Sequence, residues 1–345
     1  MKIRMFLLMV TALLLAFAGS SALPAATAAP ETPAAVSAAF LPRVTTVVEQ
    51  ATASAASFGV ERVLCPEGLV AIGGGVDVNN VLTMQVSSSA PVFPDGPGGS
   101  RLISQANGAG PAPIGWQASA VNTTASEQSF SVAVICADLP DVSTVVSFST
   151  ADAGNFTLER VLCPDNTVAV GGGADANNVL TMQLSSSAPV FPDGAGGTRL
   201  LVQADGASPA PIGWQATAVV ESGTAQQMKV AAICVDLPDV STMVGSATAS
   251  AGSFAVERVL CPEGMVAIGG GVDVDNVLNM EASSSAPTFP GDSGNRLIQQ
   301  SPGTYAGPVG WQSSAVVNSG TDEMVKVAAI CAAAPDLAFL PIIVK

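Results

Sequence analysis

The chain contains no histidine, and its 12 lysines and arginines face 27 aspartates and glutamates, for a formal net charge of −15. Without histidine there is no Ser-His-Asp or Cys-His nucleophile arrangement. Zinc is disfavoured for the same reason, and no C-x-x-C knuckle replaces the missing imidazoles. The shortage of cations excludes the basic patch that nucleic-acid binders carry and the attraction that draws proteins to anionic membranes. Only one long apolar run exists, Met5 to Ala18, which is short for a bilayer span; no membrane span is expected. Serines are plentiful, Ser87-Ser88-Ser89 among them, but none has an activating base. Glu61 has no second acid in a defined geometry. The expectation is therefore a protein that is not an enzyme. Aromatic residues make up 5% of the chain, so its sheets must pack through small side chains.

What is present is a unit written three times. Glu61-Arg62-Val63-Leu64-Cys65-Pro66 runs on to Gly73-Gly74-Gly75, returns as Glu159 to Pro164 with Gly171-Gly172-Gly173, and again as Glu257 to Pro262 with Gly269-Gly270-Gly271. Each is followed by Gly-Trp-Gln and then Ala-x-x-Cys. Ahead of the repeats, Lys2 and Arg4, the apolar run and the small residues to Ala28 have the order of a secretory signal, expected over 1–28. An Ala-, Pro- and Thr-rich linker covers 29–43. The repeats then span 44–141, 142–239 and 240–336, and an apolar tail covers 337–345. Asp138-Leu139-Pro140-Asp141 and Asp236-Leu237-Pro238-Asp239 form abrupt joints, where proline ends a strand. Neighbouring repeats should therefore lie close together.

Within a repeat the hydrophobic period is two. Phe130, Val132, Val134 and Cys136 alternate with Ser131, Ala133 and Ile135, and Trp116, Ala118 and Ala120 alternate with Gln117 and Ser119. That is the signature of half-buried strands. In the first repeat strands are predicted near 44–49, 57–65, 68–73, 81–88, 101–105, 114–121 and 129–136. The fold class is all-β, with three tandem antiparallel sandwich-like domains; the alternative is a β-prism or another arrangement in which the repeats share sheets.

All six cysteines fall in the repeats, and secretion makes disulfides the natural use. Pairing Cys65 with Cys136, Cys163 with Cys234 and Cys261 with Cys331 treats the repeats alike; pairing across the joints would strand Cys65 and Cys331. Trp116, Trp214 and Trp311 are predicted core residues near these bridges. The Phe93-Pro94-Asp95-Gly96 stretch reads as an exposed turn, because its counterpart in the third repeat is a residue shorter.

Two constellations are candidate sites. The triple glycine suggests a phosphate loop, but no helix follows it; a bulge or close backbone approach is the simpler reading. Asp77-x-Asn79-Asn80, Asp175-x-Asn177-Asn178 and Asp273-x-Asp275-Asn276 place alternate oxygen side chains after the glycines. Those oxygens suit calcium or a sugar helped by Trp116 or Phe93, while turn chemistry also explains them. No other cofactor is indicated. Glu61 and Arg62, with Arg101, Arg199 and Arg296, suit edge-strand ion pairing.

Cys65-Pro66-Glu67-Gly68-x-x-Ala71-Ile72-Gly73-Gly74-Gly75, with Gly115-Trp116 and Ala133 to Cys136, resembles a repeat of secreted bacterial proteins, a resemblance that implies no activity. The Cys-Pro-x-Gly-x-x-Ala-x-Gly piece is also similar to vitelline membrane outer layer proteins, which are three-fold β-prisms with shorter repeats. The expected function is a secreted, extracellular or cell-surface protein with a structural or adhesive role. The alternative is a trivalent lectin-like binder. Its partners would be a cell-surface or matrix glycan or protein, and not nucleic acid.

Overall fold

The computed structural model describes residues 43–95, 99–103, 108–193, 198–201, 204, 206–291, 294–298, 302–318 and 320–333. The expected signal, the expected linker before residue 43 and the C-terminal tail lie outside them. The described residues all belong to one compact unit, Ala38–Lys345.

The first repeat forms β1 (Val44–Ala53), β2 (Ser57–Leu64), β3 (Val70–Val78), β4 (Met84–Pro94), β5 (Ser100–Leu102), β6 (Gly108–Gly110), β7 (Gly115–Asn122) and β8 (Gln128–Ala137). The second forms β9 (Ser143–Ala151), β10 (Phe156–Leu162), β11 (Val168–Ala176), β12 (Met182–Pro192), β13 (Thr198–Arg199), β14 (Gly206–Ser208), β15 (Gly213–Val220) and β16 (Gln226–Val235). The third forms β17 (Ser241–Ala249), β18 (Phe254–Leu260), β19 (Met265–Val274), β20 (Met280–Gly291), β21 (Gly294–Leu297), β22 (Gly303–Ala306), β23 (Gly310–Val317) and β24 (Glu323–Ala333). Seven of the eight strands of the first repeat match the periodicity. The unforeseen one is β6, whose Gly-Ala-Gly sequence has no apolar face to read.

The strands make three antiparallel sheets, and each sheet draws on two repeats. One runs β2-β7-β4-β11-β16-β9-β6, the next β10-β15-β12-β19-β24-β17-β14, and the third β18-β23-β20-β3-β8-β1-β22. The first repeat therefore leans on the second, the second on the third, and the third on the first. The all-β antiparallel expectation holds, and of its two arrangements the shared-sheet one is formed. At the middle of each sheet the repeats meet through a very short ladder: Ser89↔Ala174 and Ser88↔Asp175, Ser187↔Val272, and Ser285↔Val76.

The disulfides join Cys65 to Cys136, Cys163 to Cys234 and Cys261 to Cys331. Each bridge ties two sheets together, because Cys65 follows β2 in one sheet and Cys136 lies in β8 of another. Shared sheets and bridges within a repeat thus coexist; a shared sheet does not require bonds between repeats. Closing a loop of 71 residues stabilises by about 4–5 kcal/mol in the chain-entropy model.

Each glycine of the triplet has its own steric reason. A Cβ on Gly73 would lie 2.4 Å from the Ile268 carbonyl oxygen, and its equivalents Gly171 and Gly269 meet the Ile72 and Val170 oxygens at 2.3 and 2.2 Å. These contacts run from repeat to repeat, so β3, β11 and β19 converge. A Cβ on Gly74 would lie 2.4 Å from the Trp116 ring, and one on Gly75 would lie 2.2 Å from the Ser285 oxygen across the seam. A bulge also falls between Ala71 and Gly73. Close approach is the reason, as the lack of a following helix suggested.

Trp116, Trp214 and Trp311 are each 1% exposed, as predicted. Their indole Nε1 groups donate to Ser89, Ser187 and Ser285, each at 2.9 Å. These serines line a central cavity of about 30 Å³ together with glycines of all three repeats. β8 is buried on both faces beyond what its alternation predicts. The cause is an arm from the preceding repeat: Phe93 and Ile103 cover Val146 and Ala231, Phe191 and Leu201 cover Val244 and Ala328, and Phe289 and Ile298 cover Val48 and Ala133. Phe93 is therefore not on an exposed turn. It is fully buried, because the outer face of the next repeat needs an apolar lid.

Candidate functional site

The edge strands β2, β10 and β18 each end one sheet. Their inward positions, such as Gly59 and Val63, are buried. Their outward positions carry large apolar residues that the described residues leave nearly half exposed. Phe58, Val60 and Leu64 in the first repeat, Phe156, Leu158 and Leu162 in the second, and Phe254, Val256 and Leu260 in the third are between 41 and 48% exposed. Taking such a side chain from full exposure to full burial is worth about 1.5–3 kcal/mol; about half of that remains to be gained at each of these nine, and three matched stripes of them form a surface with a use.

Beside the first stripe lies the loop of the next repeat. Phe58, Val60, Arg62, Gln117 and Ser119 form one side of a groove of about 630 Å³, and Asp175 to Leu180 form the other. The volume is within the ordinary range of ligand pockets. Leu180 at the rim is 51% exposed, and its counterparts Leu278 and Leu82 are 55 and 53% exposed. On the floor, Arg62 donates through Nε and Nη2 to Gln117 Oε1 at 3.1 and 2.9 Å. Arg160 does the same to Gln215, and Arg258 to Gln312. The guanidinium is thus held flat against the sheet, which fixes the side-chain donors beneath the apolar rim.

The loop side contains the oxygens singled out above, and turn chemistry occupies many of them. Asp175 Oδ1 accepts from Ser88 Oγ of the preceding repeat at 2.5 Å, and Asp77 Oδ1 accepts from Ser284 Oγ at 2.5 Å. Asp273 Oδ1 accepts from the Val274 amide. Asn80 and Asn178 Oδ1 accept from the Leu82 and Leu180 amides, and Asn177 and Asp275 Oδ1 from the Gln227 and Met324 amides. Asn276 Nδ2 donates to Glu323. Asn79 begins the first of these turns, its amide bonded to the Ser129 carbonyl. Among the described residues no group of three or more acidic or cysteine side chains is placed to hold a metal ion.

Sequence reasoning found the loops but paired them with the wrong aromatics. Trp116 and Phe93 are both buried, whereas the ring beside Asn177 and Asn178 is Phe58 of the preceding repeat. Ser87 and Ser88, whose polar side chains suggest a solvated stretch, are also buried. Ser87 Oγ bonds to Val179 O and Gln183 Oε1, both at 2.7 Å, so these serines bind repeat to repeat. The missed signal was the Phe-x-Val/Leu-x-Arg-x-Leu pattern of the edge strands, which alternates like any half-buried strand but turns its larger residues outward.

One carboxyl where the three repeats meet has a shifted pKa. The Glu281 carboxyl is pushed above the usual carboxylate range, chiefly by burial and further by Glu221. Hydrogen bonds from Gln85 and Asn318 oppose the shift. The corresponding residues are Gln85 and Gln183, so the acid is peculiar to the third repeat.

No protein-family model matches the chain, and comparison with curated proteins finds no match. Among the described residues no helix is long and apolar enough to cross a membrane. The three disulfides fit an oxidising compartment.

Proposed function

We propose that the protein is a secreted, non-enzymatic surface or adhesion component that makes contact through its three grooves. The observation that carries this reading is an apolar stripe repeated on all three edge strands, the first of which walls a groove with the Asp/Asn loop of the next repeat; the equivalent sheet order sets the other two beside the corresponding loops. Such side chains gain most from a partner that covers them. The signal at residues 1–28 and the disulfides support an extracellular setting. The lack of histidine supports a role without acid–base chemistry.

A trivalent lectin-like reading has its own support. Phe58 offers a ring face, and Gln117, Asn177 and Asn178 offer amide groups around it, the mixture that the apolar face and hydroxyls of a neutral saccharide would engage. A single shallow groove binds weakly, but three on one rigid body raise avidity about 10²–10⁴-fold on a repetitive target.

The test is binding of the purified chain to isolated cell envelope and to a glycan array, alongside a variant with Phe58, Phe156 and Phe254 replaced by serine. Saturable binding to both targets, lost in the variant, supports the grooves and the saccharide. Binding to envelope alone supports adhesion to protein. Equal binding by the variant overturns the groove reading.

A further inference from the structure

The third repeat is held by two seams that differ in one respect. The seam between the second and third repeats is spanned by the chain at Asp236–Val240. The seam between the third and first is closed by contacts alone. Those contacts repeat the ones made at the seam between the first and second repeats. Ser284 donates to Asp77 as Ser88 donates to Asp175. Gly73 rests on Ile268 as Gly171 rests on Ile72. Phe289 and Ile298 cover the first repeat as Phe93 and Ile103 cover the second. β22 clasps β1 as β6 clasps β9 and β14 clasps β17. A first repeat is therefore a fitting seat for any third repeat, whichever chain supplies it.

Two further observations concern movement. Every disulfide lies inside one repeat, so a repeat can leave a ring and enter another with its bridge intact. The joints are also strained. Asp141 and Asp239, each following a proline, have φ of 56° and 59°, the left-handed region that costs residues other than glycine, aspartate less than most. Short strained hinges favour exchange between chains, and exchange keeps every contact except those of the hinge.

We propose that the partner for these seams is a second copy of this chain, with third repeats exchanged reciprocally and Asp236–Val240 opened as the hinge. Each product ring holds the first and second repeats of one chain and the third of the other. Non-reciprocal exchange passes from chain to chain and strings rings together, which would suit an extracellular assembly. A tethered repeat meets its own seat at an effective concentration on the order of millimolar. Closed monomers therefore dominate in dilute solution, and exchange dominates where chains fold crowded together. The inference does not depend on what the grooves bind.

The experiment uses the mature chain carrying either of two affinity tags. The two forms are unfolded together without reductant, then refolded over a concentration series; a parallel sample is mixed only after folding. The expected result is dimers carrying both tags, in a fraction that rises with concentration, and no mixed dimers from the folded mixture. Asp239→Gly removes the strain and lowers the mixed fraction several-fold. Deletion of Pro238 and Asp239 shortens the hinge and converts most of the folded protein to dimer. Monomer alone from wild-type chain at every concentration overturns the proposal. Mixing of tags in the native sample also overturns it, since that would mark association of surfaces without exchange. Should the deletion variant not fold, the wild-type and Asp239→Gly samples decide.

Discussion

The axis and the rim of this molecule follow different rules. Around the axis the three repeats are nearly interchangeable: Gly-Gly-Gly, tryptophan, and the serine that accepts its Nε1 hydrogen recur at each station. At the rim the same positions drift. Val60 answers to Leu158 and Val256, Ser119 to Thr217 and Ser314, and Asn79 and Asn177 to Asp275. Three strands that converge leave no room for a Cβ, so every repeat must solve the same packing problem in the same way. A groove wall open to solvent accepts any side chain that keeps the apolar character of the stripe. Sameness among the repeats therefore marks packing at the axis and says little about use.

The comparison can be broken most severely by removing neighbours. Residues 44–141 alone leave β4 without β11, β1 without β22, and the outer faces of β1 and β8 without the arm that bears Phe289. The isolated repeat is expected to lack a cooperative thermal transition by circular dichroism, whereas the chain from 44 to 336 shows one. Next comes the axis itself. Gly74→Ala forces a methyl group into the Trp116 indole at 2.4 Å and should destabilise by about 3 kcal/mol, the upper part of the overpacking range. Trp116→Ala should cost about 3–5 kcal/mol. Both are measured by chemical denaturation.

Replacing Cys65 and Cys136 together by alanine frees two sheets from each other and should cost about 2–5 kcal/mol. A loss no larger than that of a surface substitution would mean that the seams alone hold the ring. A smaller effect is expected at Glu281. Its carboxyl is raised by burial, so the folded state binds the proton more tightly than the unfolded state does. The associated stability is fully present below the unfolded value and is lost as pH rises through the folded one. Glu281→Gln, which restores the residue found at Gln85 and Gln183, should raise the unfolding midpoint at neutral pH and flatten its decline from acid to neutral pH. A variant with unchanged pH dependence would remove Glu281 from the account. At the rim, Phe58→Ser should shift stability by no more than about 0.5 kcal/mol, as exposed positions usually do. A loss above 2 kcal/mol would make the stripe part of the core.

Much of this was legible beforehand, because much of it is local. The alternation of Phe130 to Cys136 identified β8, and the matched positions of Cys65 and Cys136 gave a pairing that holds. The Asp/Asn turns were found, as was the burial of Trp116. The misreadings share one cause. Phe93 sits among turn residues, and its burial depends on Val146 and Ala231 of the following repeat. Ser87 and Ser88 look solvated until Val179 and Asp175 arrive from that repeat. β6 is too short and too small-grained to register as a strand unless β9 pairs with it.

The sequence by itself determined the three-fold repetition, the all-β class and the bridges, since period, turn residues and cysteine spacing act within one repeat. The tertiary structure decided which strands are neighbours. A strand's alternation states that one face must be buried, but not which repeat will bury it. That choice fell to the glycine strands, whose missing side chains let three repeats approach until backbone meets backbone. Once they had met, the groove at Phe58 took one wall from that strand and the other from the loop of the next repeat, and the same sheet order recurs at Phe156 and Phe254.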